Sequence, residues 1–383
     1  MRWASLIIAL GACGALSCSS GLQPSISGGP AIPPSADMGV PSTDTGPAGD
    51  ATAEADMGPA GPDLARGQLL YGAYCGFCHG DMGQGYVSDN ANALANPNFL
   101  ASADDDFLRS SIVNGRPGTP MSAWGKEQGG PLDEEDAENV IAYIRGWESD
   151  LTVELGDDSE GSAERGAAVY AAACGVCHGD LGEGRQGEGG ALSLNNPWFL
   201  DAASDGFIRY AIEDGRPGTS MGAYGERLMT QEVEDLVALI RSWQRPTDSA
   251  PPGEYIPDLQ DIVINSGGAE PDFTLREGKY VPVDDVNAAM EAGQAVIMLD
   301  ARAHGDFLDG HILGAVSMPF YLLEDYIDQF PRDIWIIAYC GCPHAISGQA
   351  WEAFAAAGFT KIAVLDEGYY EWTNRGYPVT GTR

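Results

Sequence analysis

Two short runs of the chain each join a pair of thiols to an imidazole. The first is Cys75-Gly-Phe-Cys78-His79 and the second is Cys174-Gly-Val-Cys177-His178. Cysteines three residues apart lie on one side of a helical turn, where both thiols can bond to the vinyl groups of a porphyrin. The adjacent histidine then reaches the iron as its proximal ligand. This pattern predicts covalently attached c-type haem, although a Cys-x-x-Cys pair also holds zinc or works as a redox dithiol.

The surroundings of the two runs repeat along the chain. His178 follows His79 by 99 residues, and Met221 follows Met121 by 100 residues. Matching segments are 67–71 with 166–170, 96–100 with 196–200, 107–109 with 207–209 and 115–121 with 215–221. The period is too long for a solenoid, so it predicts two tandem domains. Because both copies keep the same context, the repeat favours haem over zinc or a dithiol.

Each copy has a helix entering the Cys-x-x-Cys-His run, an irregular middle, a loop with methionine and a closing amphipathic helix. This order resembles the class I cytochrome c family, and the resemblance covers both copies. It implies that the thioether of Met121 binds iron on the face opposite His79. Met221 has the same implied role opposite His178, and core packing is the alternative for both methionines. Thioether ligation stabilises Fe(II), so we expect two covalently bound haem c groups with His–Met ligation.

The porphyrin is expected to supply the apolar core that the irregular middle of each copy lacks. Aromatic side chains near the predicted ligands are expected to pack on it, namely Tyr71, Trp124, Tyr170 and Tyr224. Arg116 and Arg216 lie just before the methionines, so they are expected to hold the anionic propionates. Surface exposure is the alternative for both arginines.

The last part of the chain predicts a different fold. Short continuous apolar runs at 295–300, 334–339 and 361–365 indicate buried strands, with helical segments between them. Strands that alternate with helices predict a parallel sheet flanked by helices. The predicted fold class is therefore multidomain, with two small all-α cytochrome c domains followed by an α/β domain.

Residues 278–383 resemble the rhodanese-like family over nearly their whole length. The shared motifs are Leu299-Asp-Ala-Arg302, Gly310-His-Ile-Leu-Gly-Ala315, Tyr339-Cys340 and the segment 368–378. In that family the cysteine opens a loop of inward-pointing backbone N–H groups, which binds anions and favours the thiolate. The resemblance implies that the Cys340 thiolate carries a sulfane sulfur as a persulfide.

The loop after Cys340 departs from the family pattern. It contains no arginine where many rhodaneses have one, which weakens the prediction of thiosulfate binding and argues against a phosphatase. Cys342 is a candidate to relay a persulfide or to form a disulfide with another molecule. His344 is a candidate for proton transfer or thiolate pairing, with loop packing as the alternative. A metal site from these three side chains lacks an evident fourth ligand.

The N-terminal region is typical of an export signal followed by a tether. Residues 1–17 combine Arg2, an apolar stretch and small residues. Cys18 resembles the lipidated cysteine of a bacterial lipoprotein, with Cys13 as a rival site and an ordinary cleaved signal as the alternative. The expected location is the periplasmic side of a bacterial membrane, which the chain contacts only through its lipid anchor.

The predicted domain order follows from these features. It is signal 1–17, a disordered Gly/Pro/Ser/Asp-rich tether 18–62, cytochrome c domain 63–148, acidic linker 149–162, cytochrome c domain 163–245, linker 246–277 and rhodanese-like domain 278–383. The chain carries 56 acidic and 20 basic residues, a formal net charge of −36. Phosphate binding needs clustered Lys and Arg, so nucleic acid is excluded as a partner. The acidic field favours a cationic redox partner, with solubility as the plain alternative.

Two functions compete at this point. The first is an exported dihaem electron carrier coupled to oxidation or transfer of sulfur at Cys340, with a sulfane-sulfur donor as substrate. The second is a plain electron carrier whose rhodanese-like domain is a catalytically idle docking module. A sulfurtransferase whose haems only report redox state is a third, so enzymatic activity stays open.

Overall fold

The computed structural model describes residues 61–86, 91–156, 160–185, 191–247, 255–341 and 344–381. The predicted signal, the lipidation candidates Cys18 and Cys13, and all but the last two residues of the predicted tether lie outside the described residues. Cys342 lies outside them as well. The described residues belong to one compact unit, Asp56–Arg383. Within those residues, no helix has both the length and the apolar character that a bilayer crossing requires.

The two repeat copies fold into matching sets of helices. The first copy contains α1 (Leu64–Tyr74), α2 (Gly76–His79), α3 (Pro97–Ser102), α4 (Asp105–Asn114) and α5 (Glu134–Arg145), with a 3-10 turn at Lys126–Gln128. The second contains α6 (Ala163–Ala173), α7 (Gly175–His178), α8 (Pro197–Ala202), α9 (Asp205–Glu213) and α10 (Thr230–Ser242). Several of these helices begin at a side-chain cap. The Asp63 side chain accepts hydrogen bonds from backbone N–H groups in the first turn of α1. The Asn96 side chain accepts one from the first turn of α3, which begins with a proline.

The first and last helices of each copy cross at a glycine. A Cβ atom on Gly67 would lie 2.0 Å from the carbonyl oxygen of Asn139, and one on Gly166 would lie 2.1 Å from that of Asp235. Only a residue without a side chain permits this approach. The same partners bond back to the start of the first helix, since Asn139 Oδ1 accepts from Asp63 N and Asp235 Oδ1 from Ser162 N, both at 2.7 Å.

The two copies pack against each other with approximate two-fold symmetry. Asn96 Nδ2 donates to the carbonyl oxygen of Pro217 at 2.8 Å, and Asn196 Nδ2 donates to that of Pro117 at the same distance. The rings of Phe107 and Phe207 stack at 4.7 Å between centroids. Equivalent residues therefore exchange the same contacts, as in a symmetric dimer.

The C-terminal part forms a parallel sheet covered by helices. Its elements are β1 (Tyr280–Val281), α11 (Val283–Glu291), β2 (Val296–Asp300), α12 (His304–Asp309), β3 (His311–Ile312), β4 (Val316–Ser317), α13 (Leu323–Tyr326), β5 (Trp335–Tyr339), α14 (Ala345–Ala356), β6 (Ile362–Leu365), α15 (Gly368–Asn374) and β7 (Val379–Thr380). The parallel strand order is β1-β6-β5-β2-β4, and β3 pairs antiparallel with β7. Every residue of β2 and β6 is buried, as expected for strands covered on both faces. The predicted fold class is confirmed.

The described part of the segment predicted as the second linker packs on the sheet. Ile264 pairs with Val296 at the start of β2 through reciprocal backbone hydrogen bonds of 2.8 and 3.2 Å. The Tyr255 hydroxyl donates to the carbonyl oxygen of Ser317 in β4 at 2.8 Å. These contacts attach residues beginning at Tyr255 to the α/β unit.

We expect Gly67→Ala to destabilise the first helical unit. The added methyl group would collide with the Asn139 backbone, and overpacking of this kind costs about 1–3 kcal/mol. Gly72→Ala is the matched control, because it lies on the exposed side of α1 with no heavy atom within 4 Å of the new Cβ. It should gain up to about 1 kcal/mol from helix propensity. Thermal unfolding of the two haem-loaded variants should give Tm shifts of opposite sign, and equal Tm values would contradict the crossing argument.

Candidate functional site

Each Cys-x-x-Cys-His run occupies the break between two helices. Cys75 ends α1, donates its N–H to the carbonyl oxygen of Tyr71 at 2.8 Å and accepts from the N–H of His79 at 3.0 Å. Cys174 makes the equivalent bonds with Tyr170 and His178 at the same distances. Both leading cysteines have φ −113° and ψ −38°. The two attachment runs therefore share one backbone conformation.

Both histidines are held through the same ring nitrogen. His79 Nδ1 lies 2.8 Å from the carbonyl oxygen of Asn92, and His178 Nδ1 lies 2.9 Å from that of Leu192. A carbonyl only accepts, so Nδ1 carries the proton and Nε2 keeps its lone pair for a metal. Burial lowers the pKa of both imidazoles, which favours the neutral form that a ligand needs.

Tyr71 and Tyr170 secure the chain behind the attachment runs. The Tyr71 hydroxyl donates to the carbonyl oxygen of Gly80, and the Tyr170 hydroxyl to that of Gly179, each at 2.8 Å. Tyr71 also packs edge-on against Trp147 at 5.0 Å between ring centroids. These contacts assign both tyrosines a role in bracing the loop that follows each histidine.

The loops that carry the methionines are closed by the Gly-Arg-Pro-Gly-Thr sequence. Arg116 N donates to the carbonyl oxygen of Met121 at 2.8 Å, and Thr119 Oγ1 accepts from Met121 N at 3.2 Å. Arg216, Thr219 and Met221 repeat these bonds at 2.8 and 3.1 Å. Met121 and Met221 are each half-buried on equivalent loops.

Arg116 and Arg216 are half-buried cations that form no salt bridge among the described residues, although the nearby Asp214 carboxylate favours the charged form of Arg216. Arg116 donates to the Gly115 carbonyl and to the Ser111 hydroxyl, and its guanidinium lies 5.5 Å from the Phe107 ring centre. Burial lowers the pKa of each guanidinium to about 10. A desolvated cation is stabilised by a paired anion. A porphyrin propionate is such an anion, so these residues fit a bound haem.

Trp124 and Tyr224 occupy equivalent places with different neighbours. Trp124 is buried and packs on Tyr74 at 5.5 Å and on Phe320 of the α/β unit at 6.3 Å. Tyr224 is half-buried and lies 3.4 Å from the Ala173 carbonyl oxygen through its hydroxyl. Trp124 therefore also belongs to an interface between units that the sequence did not reveal.

Cys340 lies at the end of β5, in the centre of the sheet. Its side chain is almost fully buried, with 1% of the residue exposed. Its Sγ lies 3.3 Å from Ser347 Oγ in the first turn of α14, where a hydroxyl can donate to a thiolate. Its carbonyl oxygen accepts from Tyr369 N at 3.0 Å, which fixes the strand end against α15.

His344 and Arg302 flank the Cys340 loop, and each already has an acidic partner. His344 adopts a left-handed backbone conformation with φ 68°, and its Nε2 lies 2.5 Å from the Asp366 carbonyl oxygen and 3.0 Å from its carboxylate. Arg302 forms a bidentate pair with buried Asp300 at 2.9 and 2.6 Å. Burial disfavours its charge, but the Asp300 carboxylate keeps the pKa of Arg302 above its usual value.

The comparisons with known proteins divide the chain in the same way. Residues 62–144 and 161–240 each match the family described as "Cytochrome C oxidase, cbb3-type, subunit III", and residues 282–375 match the rhodanese-like domain. The chain consists of tandem cytochrome c domains and a rhodanese-like domain. The predicted family resemblance is thus confirmed. Cytochrome c domains imply covalently bound haem c and electron transfer.

Individual relatives cover separate parts of the chain. A "Cbb3-type cytochrome c oxidase subunit FixP" of Azorhizobium caulinodans is 30% identical over 46% of this chain and 59% of its own length. A CcoP subunit of Azospirillum sp. is 28% identical over 47% and 62%. The chain therefore spans about 60% of these oxidase subunits. A "Thiosulfate sulfurtransferase GlpE" of Stutzerimonas stutzeri is 29% identical over 27% of this chain and 92% of its own. A solved rhodanese-like domain from Anabaena sp. is 28% identical, covers 27% of this chain and 78% of its own, and has a TM-score of 0.25.

Asp306 of the rhodanese-like domain is a buried carboxyl that sequence reasoning missed. The Ser122 side chain of the first cytochrome domain favours its charged form, and its Oδ2 has no partner among the described residues. Burial raises the pKa of Asp306 to about 7. Its position four residues after Arg302 is the only sequence signal, and nothing in that spacing reveals a partner in another domain.

We expect stability to fall as pH rises through the range set by Asp306. The folded protein holds this proton up to about pH 7, whereas the ordinary pKa of the carboxyl is 3.8. Between these values the unfolded chain has lost the proton and the folded protein keeps it, so stability decreases with rising pH, by at most about 4 kcal/mol. Chemical denaturation of the full chain across this range should show the slope in wild type and in the exposed control Asp328→Asn. Asp306→Asn should remove it; a slope that persists there refutes the assignment.

Proposed function

We propose that the chain is an exported dihaem electron-transfer protein coupled to sulfur chemistry at Cys340. The observation that carries the proposal is the conjunction of two matching attachment units and a strand-end cysteine within one compact unit. Each haem would store one electron by cycling between Fe(III) and Fe(II). The rest of the proposal concerns what this chain's own residues do.

The proposed haem sites use equivalent residues in the two cytochrome domains. The thioether bonds come from Cys75 and Cys78 in the first domain and from Cys174 and Cys177 in the second. His79 and His178 bind through Nε2, because their Nδ1 atoms are already engaged. Met121 and Met221 are the proposed second iron ligands, and Arg116 and Arg216 the propionate partners.

Cys340 is the proposed sulfur carrier of the rhodanese-like domain. The Ser347 hydroxyl beside Sγ would stabilise a thiolate or the terminal sulfur of a persulfide. Cys342 remains a proposed relay. His344 is a weaker candidate for proton transfer, since Asp366 engages its Nε2. The likeness to a thiosulfate sulfurtransferase supports sulfur transfer as the chemistry.

The proposed location is the periplasmic side of a bacterial membrane, with Cys18 as the lipid anchor. Its support is the sequence of residues 1–18 and the requirement of covalent haem attachment for an exported chain. The net charge of −36 favours a redox partner with a cationic surface.

The second candidate function is a plain electron carrier with an idle rhodanese-like domain. The observation that favours it is the pairing of Arg302 with Asp300. That pairing leaves no unpaired arginine among the described residues beside Gly341 to receive a dianionic donor.

We expect Cys340→Ser to abolish haem reduction by hydrosulfide. Loss of the thiol removes the only proposed persulfide site on the central strand, and the haem content should stay at two per chain in the pyridine haemochrome spectrum. The measurement is anaerobic absorbance after addition of hydrosulfide, whose oxidation to a persulfide on Cys340 would release two electrons, with mass spectrometry of the peptide that contains residue 340. Cys342→Ser is the matched comparison and should retain the persulfide on Cys340. Equal reduction of Cys340→Ser and wild type would favour the idle module.

We expect Arg116→Gln to lower the reduction potential of the first haem. Removing a buried cation beside an anionic propionate makes the oxidised, more positive state easier to reach; a tenfold change in that equilibrium corresponds to about 59 mV. The measurement is a spectroelectrochemical titration. Arg109→Gln is the control, because Arg109 already pairs with Glu138 and Asp106. An unchanged potential in Arg116→Gln would place the propionates elsewhere.

A further inference from the structure

The rhodanese-like domain packs against the first cytochrome domain at the loop of Met121. A Cβ atom built on Gly341, the residue after Cys340, would lie 3.7 Å from the Cα atom of Pro120. Pro120 immediately precedes Met121. The two backbones are therefore separated by little more than the space of one methyl group, next to Cys340 and Met121 in the chain.

An aromatic layer extends this interface over the first attachment run. The Phe320 ring lies 6.1–6.3 Å from three rings of the first domain, those of Tyr74, Phe77 and Trp124. The Tyr321 hydroxyl donates to the carbonyl oxygen of Gly129 at 2.9 Å. These contacts fix the position of the end of β5, at Cys340 and Gly341, on the first domain.

The second cytochrome domain lacks the side chains that make this interface. Val176 stands where the first attachment run has phenylalanine, and it is 72% exposed. Ala173 and Ser220 stand where the first domain has Tyr74 and Pro120. The repeat has thus diverged at the positions that contact the rhodanese-like domain.

We propose that the first cytochrome domain is the electron acceptor for sulfur bound at Cys340, and that the second domain is the outlet. The proposal rests on the proposed function and adds the direction in which electrons would pass through the chain. Pro120 and Phe320 are positioning residues, because they hold Cys340 and Gly341, at the end of β5, beside the Met121 loop. The Phe107–Phe207 stack joins the two cytochrome domains beyond that point.

Hydrosulfide is the probe, because its oxidation to a persulfide on Cys340 releases two electrons, the number that two haems of one chain could accept. The Cys340 thiolate and HS⁻ form one S–S bond and break one S–H bond, which gives a persulfide, one proton and two electrons. The proton goes to solvent. Cys340 would carry the persulfide, and the two electrons would leave through bound haem c, whose ferric form would supply the oxidising capacity at one electron for each group.

The first test follows which domain is reduced first. Met121→His and Met221→His variants assign the spectrum of each haem, and oxidised full-length protein is then mixed with hydrosulfide under anaerobic conditions. We expect the first haem to be reduced first, and Phe320→Ala to slow that phase about tenfold, a barrier change of about 1.4 kcal/mol. Val176→Ala, at the second-domain position equivalent to Phe77, is the control and should leave the rate unchanged. Reduction of the second haem first, or a Phe320→Ala rate equal to wild type, overturns the proposal.

The second test needs no turnover. Hydrogen exchange is compared before and after Cys340 is converted to the persulfide, with Cys340→Ser treated in parallel. We expect exchange to change in the peptide containing Ser122 to Gly125 and to stay constant in its repeat counterpart containing Gly222 to Gly225. Equal change, or none, in the two peptides overturns the proposal.

The two tests separate this proposal from the proposed function. Reduction that depends on Cys340 but bypasses the first domain refutes the direction alone. Reduction that does not depend on Cys340 refutes the coupling itself.

Discussion

Each cytochrome domain depends on one helix crossing that only glycine allows. At Gly67 and at Gly166 the entering helix approaches the backbone of the closing helix to a distance that leaves no room for a Cβ atom. This approach brings the closing-helix aromatic, Trp147 or Trp243, against the tyrosine that braces the attachment run. The two cysteines and the histidine of each attachment run follow that tyrosine within the next eight residues. A small shift of the crossing would therefore be transmitted to every predicted haem ligand on that side.

The two cytochrome domains form a nearly symmetric pair, but within the described residues only the first of them packs against the rhodanese-like domain through Phe320. The exchange of Asn96 and Asn196 with the opposite proline carbonyls holds only while both loops keep the same shape. The attachment runs take no part in that exchange of hydrogen bonds. Aromatic residues at these positions of the first domain are packed by Phe320, whereas the corresponding valine of the second is exposed. The interface between domains thus explains why these positions differ while the ligands do not.

The sequence predicted those features whose residues are close along the chain. The attachment runs, the Met121 and Met221 loops and the buried strands each depend on spacing within about one element, so local patterns revealed them. Contacts between distant segments were not predictable in this way. Tyr321 bonds to Gly129 across 192 residues, and His344 bonds to Asp366 across 22. The segment predicted as a linker gave too little periodicity to reveal that Ile264 pairs with β2, because an isolated bridge has no repeating pattern.

The charges around Cys340 favour a small, singly charged sulfur species over a dianion. Arg302, which lies beside Gly341, forms a bidentate ion pair with Asp300. The Asp300 carboxylate is fully buried, so its charge would be left uncompensated if the pair opened. Among the described residues, the Ser347 hydroxyl and the start of α14 would then bind an anion, and they compensate one charge better than two. The likeness to a thiosulfate sulfurtransferase therefore supports a shared fold for this domain more strongly than it supports thiosulfate as the sulfur donor. A monoanion such as hydrosulfide also demands an oxidant to become a persulfide, and this chain carries two predicted one-electron acceptors for that purpose.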